Sequence, residues 1–159
     1  MIARQHQQGV TLIEVLVSLL ILGIGLLGAA ALQLNALKFT DSSTMNSQAS
    51  FIAYDMLDRI RANPQADYAL TSLEVAPAAG DSSNSRTQDL FDFATNVRSF
   101  GGTGAGGSIA VNGRVVTINI TWNDTRAANT TSVSNVTKTG TTLMTYQLVS
   151  RVAIDKGIL

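Results

Sequence analysis

The sequence predicts an α+β chain: a long N-terminal helix packed on a small antiparallel β-sheet. Three observations carry this. From Val15 to Leu32 the chain has no charged residue, and Ser18 is its only polar side chain. Beyond Lys38, the apolar residues Met45, Ala49, Ile52, Met56 and Ile60 recur every three or four positions, the period of one helix face. Nearer the C-terminus, Val116, Ile118, Ile120 and Trp122 alternate with Val115, Thr117, Asn119 and Thr121, the period of a half-buried strand.

The helix comes first in the chain. The 18 residues of Val15–Leu32 suffice to cross about 30 Å of hydrocarbon with some tilt. Arg4 and His6 precede this stretch, and this basic N-terminal flank favours a cytoplasmic N-terminus and places the body from about Phe39 onward across the membrane; Lys38 is the next positive residue after it. Three readings compete for the segment. It is a secretory signal cut near Ala29-Ala30-Ala31, an uncleaved anchor, or a leader cut before the apolar core. Glu14 discriminates among them. A carboxylate costs roughly 2–3 kcal/mol at the centre of a membrane helix, less near its edge. A plain signal or anchor gains nothing from it. An intramembrane acid normally has a partner, and a new α-amino group at Val10 is a suitable cation.

Nothing breaks the helical pattern between Val10 and Asn63 except Gly23, Gly25 and Gly28, which fit close helix–helix approach, with local unwinding during assembly as the alternative that the lack of a proline late in the apolar stretch disfavours. In the amphipathic half, Ala53 and Leu57 flank the apolar stripe, while Asp55, Asp58, Arg59 and Arg61 lie largely off it. The stripe reads as core against a sheet. Asn63-Pro64 stops the helix, because a residue before proline disfavours αR geometry.

The region from Pro64 to Arg86 carries few signals beyond loop. Asp81-Ser82-Ser83-Asn84-Ser85 offers oxygen ligands without the spacing of a calcium loop, and reads as solvated. Leu90, Ala94 and Val97, with Phe93 and Phe100 alongside, predict a short amphipathic helix over about Thr87–Ser99. Gly102, Gly104 and Gly107 form a GxGxxG string. A dinucleotide site needs a strand before it and a helix after it, the reverse of what is predicted here, so the string reads as a flexible connector. Asn112-Gly113 marks a hairpin between Ile109–Val111 and Arg114–Trp122. A polar loop from about Asn123 to Thr142 leads to a last strand over Leu143–Ile154, with Met144, Tyr146, Leu148, Val152 and Ile154 on one face. Three or four antiparallel strands are expected. Asn-x-Ser/Thr triplets at Asn119, Asn123, Asn129 and Asn135 arise easily in such a sequence and are not counted as modification sites.

Composition narrows the function. Charged residues make up 14% of the 159 residues and sum to zero, so there is no basic footprint for nucleic acid. Cysteine is absent, which removes disulfides and thiolate metal sites. The single histidine, His6, precedes the apolar core, so no His-based triad or metal site is expected in the body. No cofactor and no catalytic constellation is expected.

Gln8-Gly9-Val10-Thr11-Leu12-Ile13-Glu14-Val15 resembles the prepilin peptidase site of type IV pilins and type II secretion pseudopilins. The resemblance implies cleavage after Gly9, N-methylation of the new terminus at Val10, and Glu14 as the fifth mature residue. The family usually has Phe where this chain has Val10. The apolar run Val15–Leu22, the Gly25-Leu26-Leu27-Gly28 and Leu32-Gln33 that follow it, and Leu57-Asp58-Arg59-Ile60-Arg61-Ala62-Asn63-Pro64 resemble minor pilins of the PilV type. The implied organisation is a leader over residues 1–9, a transmembrane and assembly helix over 10–37, and a periplasmic head over 38–159. That head includes the amphipathic half of the helix to about Asn63. The implied partners are a prepilin peptidase/N-methyltransferase, other minor and major pilins, and the inner-membrane assembly machinery. Glu14 is expected to pair with the mature N-terminal amine of a neighbouring subunit, with Thr11 adding a hydrogen bond nearby. The expected function is a non-enzymatic minor pilin in pilus assembly initiation or modification. The alternative is a minor pseudopilin of a type II secretion system. An adhesion or DNA-uptake module and a secreted enzyme are the rivals from other classes.

Overall fold

The computed structural model describes residues 11–124 and 143–152. Gly9, Val10 and Ile154 lie outside the described residues, as do Asn129, Asn135 and nearly all of the polar loop between the last two strands. The chain divides into two units, Met1–Phe39 and Thr40–Leu159. One helix, α1 (Leu12–Ala62), contributes to both.

In the first unit, α1 buries nothing: its buried residues begin at Ala49. Leu12, Leu20 and Leu27 are 78%, 64% and 73% exposed, which for a run this apolar demands a cover other than the chain's own core. By length and composition the stretch is able to cross a membrane. A Cβ added at Gly23, Gly25 or Gly28 would meet nothing within 4 Å, so these glycines are not forced by packing within the chain.

The second unit holds the hydrophobic core. Ala49, Ala53, Met56, Leu57 and Ile60 of α1 are buried in it, with Met45 and Ile52 partly so. The helix ends at Ala62, one residue before Asn63-Pro64. A second helix, α2 (Ser85–Gly101), adds Leu90, Phe93, Ala94 and Val97. It starts because the Asn84 side chain accepts from the Thr87 N–H, satisfying one of the orphan donors of the first turn. Just upstream, Asp81 closes the loop locally, accepting from the backbone and hydroxyl of Ser83 at 2.9 and 2.6 Å.

Three antiparallel strands follow: β1 (Gly106–Asn112), β2 (Val115–Asn123) and β3 (Leu143–Arg151), in spatial order β1-β2-β3. Val116, Ile118, Ile120 and Trp122 of β2 are all buried, as the alternation predicts. Rungs such as Ile109–Ile118–Leu148 and Gly107–Ile120–Tyr146 build the apolar face. Burying each large aliphatic side chain there contributes roughly 1.5–3 kcal/mol. On the other face Asn119 bridges its neighbours, donating to Ser108 Oγ at 3.3 Å and accepting from Gln147 Nε2 at 2.9 Å. Val152, just past β3, is buried, and its N–H donates to the Arg114 carbonyl at 2.8 Å.

Three expectations need correction. The hairpin turn is Gly113-Arg114, one residue beyond Asn112-Gly113, because Asn112 already pairs with Val115 in the ladder. Gly113 has φ +58° and no other residue of the turn has positive φ, the pattern of a type II′ turn, which wants glycine first. The glycine-rich string is not a connector throughout. Gly101 ends α2, Gly102–Gly104 form a 3₁₀ turn, and Gly106-Gly107 begin β1. At Gly107 the strand comes so close to its neighbours that a Cβ would lie 2.7 Å from Leu73 Cδ2 and 3.2 Å from Phe93 Cε1. Finally, the region after Pro64 is not all surface loop. Tyr68, Leu70 and Leu73 are core residues, and Leu70 bridges Ile109 through reciprocal backbone hydrogen bonds of 2.9 and 2.7 Å.

Candidate assembly site at the start of the long helix

Thr11 stands just before the first helical residue, at the N-cap. Its carbonyl accepts from the N–H of Glu14 at 3.0 Å and of Val15 at 3.3 Å. Glu14 is therefore the third residue of the helix, and Thr11-Leu12-Ile13-Glu14 has the T-x-x-E spacing of a capping box. A carboxylate in the first turn also faces the positive end of the helix dipole. One turn on, the Ser18 hydroxyl donates to the Glu14 carbonyl at 2.7 Å, so the one polar side chain of the apolar run is satisfied within the helix.

The environment of Glu14 is otherwise apolar. Leu12 and Ile13 are 78% and 70% exposed. Among the described residues Glu14 has no ion-pair partner: the salt bridges there all lie at the far end of α1. The next cation in the sequence is Lys38, 24 residues on, roughly 36 Å along a helix. Within the described residues nothing brings a positive group to Glu14. Thr11 and Glu14 thus share one helical turn, while Gly9 and Val10, expected beside them, lie outside the described residues.

A second polar feature sits in the head. Arg59 donates from Nε to Asp55 at 3.0 Å and from one terminal nitrogen to Asp89 at 2.9 Å and Asp92 at 3.0 Å. Asp89 also accepts from the Tyr68 hydroxyl at 2.7 Å, and Asp92 from Gln88 at 2.7 Å. One guanidinium therefore ties α1 to two carboxylates spaced i, i+3 on α2. Burial pulls the Arg59 pKa down, but its hydrogen bond to Asp89 and the charge of Asp55 more than offset this, and the net shift is upward. Burial and the bond to Asp89 push the Tyr68 hydroxyl up to about 12. Sequence reasoning placed Arg59 off the apolar stripe and missed its role. The available signals were Asp55 at i−4 and the Asp89/Asp92 pair at helical spacing. Neighbouring Arg61 pairs with Asp58 at 3.0 Å and donates to Ser150 Oγ at 3.1 Å, joining α1 to β3. The arrangement is a clamp between elements, with each carboxylate engaged by a donor.

Comparison with known families returns two adjoining matches. Residues 4–30 match the prokaryotic N-terminal methylation motif. Residues 31–89 match the family described as type IV pilin Tt1218. Searches of curated proteins and of solved structures found no match. The methylation motif and the pilin family together imply processing by prepilin peptidase and assembly with other pilins. Together with the long apolar helix and the three-stranded sheet, these two matches support a type IV pilin-like protein.

Proposed function

We propose that this chain is a minor pilin of a type IV pilus, of the PilV type, acting in the initiation or modification of pilus assembly. The observation that carries the reading is the isolated Glu14, in the first turn of a helix whose apolar surface is exposed along its first half. A charge so placed, paired with no cation of the described residues, needs one from outside its own helix. In this reading the leader ends at Gly9, Val10 becomes the methylated N-terminus, and Glu14 meets the terminal amine of a neighbouring subunit. Thr11 supports that end of the helix. Residues 10–37 anchor the subunit in the bacterial inner membrane with its N-terminus cytoplasmic. Residues 38–159 form the periplasmic head, which selects partners among other pilins. On assembly the helix leaves the lipid to pack beside pilin helices, so one apolar surface serves both environments.

Intact-mass analysis of the membrane fraction tests the processing step. The expected species begins at Val10 and carries one added methyl group. A chain beginning after Ala31 and released from the membrane would overturn the reading in favour of a secreted protein. The same physics would serve a type II secretion minor pseudopilin. Deleting the gene distinguishes the two: the pilin reading expects fewer surface fibres with normal protein export, the pseudopilin reading the converse.

A further inference from the structure

Between its apolar first half and its core-packed last turns, α1 passes through a stretch that neither composition nor packing supports. Ser42-Ser43-Thr44-Met45-Asn46-Ser47-Gln48 contains five residues that rank low as helix formers. Ser, Thr and Asn side chains compete for the backbone and so favour non-helical conformations. That competition is visible here. Thr44 Oγ1 donates to the Thr40 carbonyl at 2.9 Å, Ser47 Oγ to the Ser43 carbonyl at 3.0 Å, and Ser50 Oγ to the Ser47 carbonyl at 2.7 Å. Such back-bonding slightly weakens and bends helices. From Ser42 to Tyr54 there is no charged residue, so no i, i+4 ion pair staples these turns. Contrast the last turns, where Asp55–Arg59 and Asp58–Arg61 pair within the helix. Of the seven residues only Met45 packs against the core, and only partly; full burial starts at Ala49.

We propose that Ser42–Gln48 is a built-in unwinding point of α1, a stretch that opens to water while the helix on both sides stays intact. Gly23, Gly25 and Gly28 are also poor helix formers, but their neighbours are apolar. Freed backbone groups there would find no water in a bilayer or micelle, which holds that stretch helical. At 42–48 water and the hydroxyl side chains accept the freed groups instead. Seven residues span about 10 Å as helix and about 23 Å extended, so opening releases about 13 Å of reach and gives up only the partial core contact of Met45.

Amide hydrogen exchange on the full chain in detergent micelles tests this, and it does not depend on the pilin reading. The amides of 42–48 are expected to exchange at least ten-fold faster than those of 53–60 and of 20–32. In the variant Ser42→Ala/Ser43→Ala/Thr44→Ala/Asn46→Ala/Ser47→Ala, each alanine should slow exchange about two-fold, about 30-fold together, closing the gap. The double variant Ser43→Ala/Ser47→Ala, at two exposed positions, should give about four-fold and keeps the test available if the larger variant misfolds. Equal protection of 42–48 and 53–60 in the parent chain overturns the proposal. So does a gap that persists unchanged in the alanine variants while α2 and the sheet stay protected.

Discussion

Replacing Arg59 with methionine keeps its aliphatic stem and removes its charge. Three carboxylates then lose their shared cation. The Asp55 pair is exposed at both ends, with half of the Asp55 side chain in solvent, and is worth roughly 0.3–0.5 kcal/mol. Asp89 differs: its side chain is 14% exposed, and its bond to Arg59 is 2.9 Å. A charge-assisted hydrogen bond in such a place contributes about 1.5 kcal/mol, and the bond to Asp92, whose side chain is 31% exposed, less than 1 kcal/mol. Asp89 keeps Tyr68 and Asp92 keeps Gln88, which moderates the loss. The sum is about 2 kcal/mol. With a urea slope near 2 kcal/mol per molar, the unfolding midpoint should fall by about 1 M. Trp122 reports the transition, being the chain's single tryptophan, buried in the core with its ring edge-on to Phe100 at 5.3 Å. A double-mutant cycle of Arg59→Met with Asp89→Asn should give a coupling of about 1 kcal/mol. A midpoint unchanged within about 0.2 M, or zero coupling, would refute the clamp and reduce the cluster to solvated surface charge.

Three further outcomes follow from individual contacts. Tyr68→Phe should cost about 1–2 kcal/mol at neutral pH by removing the hydrogen bond to Asp89. It should also alter the alkaline limb: a hydroxyl raised from 10 to about 12 adds stability that is fully present below pH 10 and lost as pH rises through about 12. Parent and variant stabilities should therefore converge over that window, and parallel curves would contradict it. Asn84→Ala should cost about 1 kcal/mol through the lost cap of α2, read as a shift in the urea midpoint with unchanged slope. Gly107→Val should destabilise by about 1–3 kcal/mol despite valine's strand preference, because its Cβ would meet Leu73 and Phe93. Ala110→Val, at an exposed position of the same strand, should be neutral or stabilising.

What was legible in the sequence tracks periodicity. The helix, the face of β2 and the four buried residues of α2 all rest on patterns repeated over several residues, where many side chains agree, and the helix stop rests on the strong local rule at Asn63-Pro64. The misses are single contacts between distant residues. Tyr68, Leu70 and Leu73 stand in no periodic run. They are core because Leu70 happens to pair with Ile109 and Gly107 makes room for Leu73. The hairpin turn slipped by one residue because Asn-Gly favours the two central positions of a type I′ turn, whereas the ladder takes Asn112 as a strand residue and leaves Gly113 first in the loop. Arg59 looked like solvent decoration because its partners lie 30 and 33 residues away on another helix. At the candidate site the motif itself was legible, and the structure adds that Thr11 and Glu14 stand at the N-cap and third helical positions.

That addition sets two roles for Glu14 against each other. As the third residue of a helix that starts with capping-box spacing, in the first turn at the positive end of the dipole, it stabilises its own helix by about 0.3–1 kcal/mol. Desolvating its carboxylate among apolar helices costs several times that, up to roughly 2–3 kcal/mol towards the membrane centre. Capping alone therefore does not explain an acid at this position, whereas the proposed pairing with a neighbouring subunit's terminal amine would. Glutamine separates the roles, since it serves in a capping box as well as glutamate but carries no charge. Glu14→Gln should leave α1 helical and the chain in the membrane, yet reduce its incorporation into sheared filaments as far as Glu14→Ala does. Incorporation of Glu14→Gln at the parent level, with Glu14→Ala deficient, would make the cap the working part and end the case for intersubunit pairing.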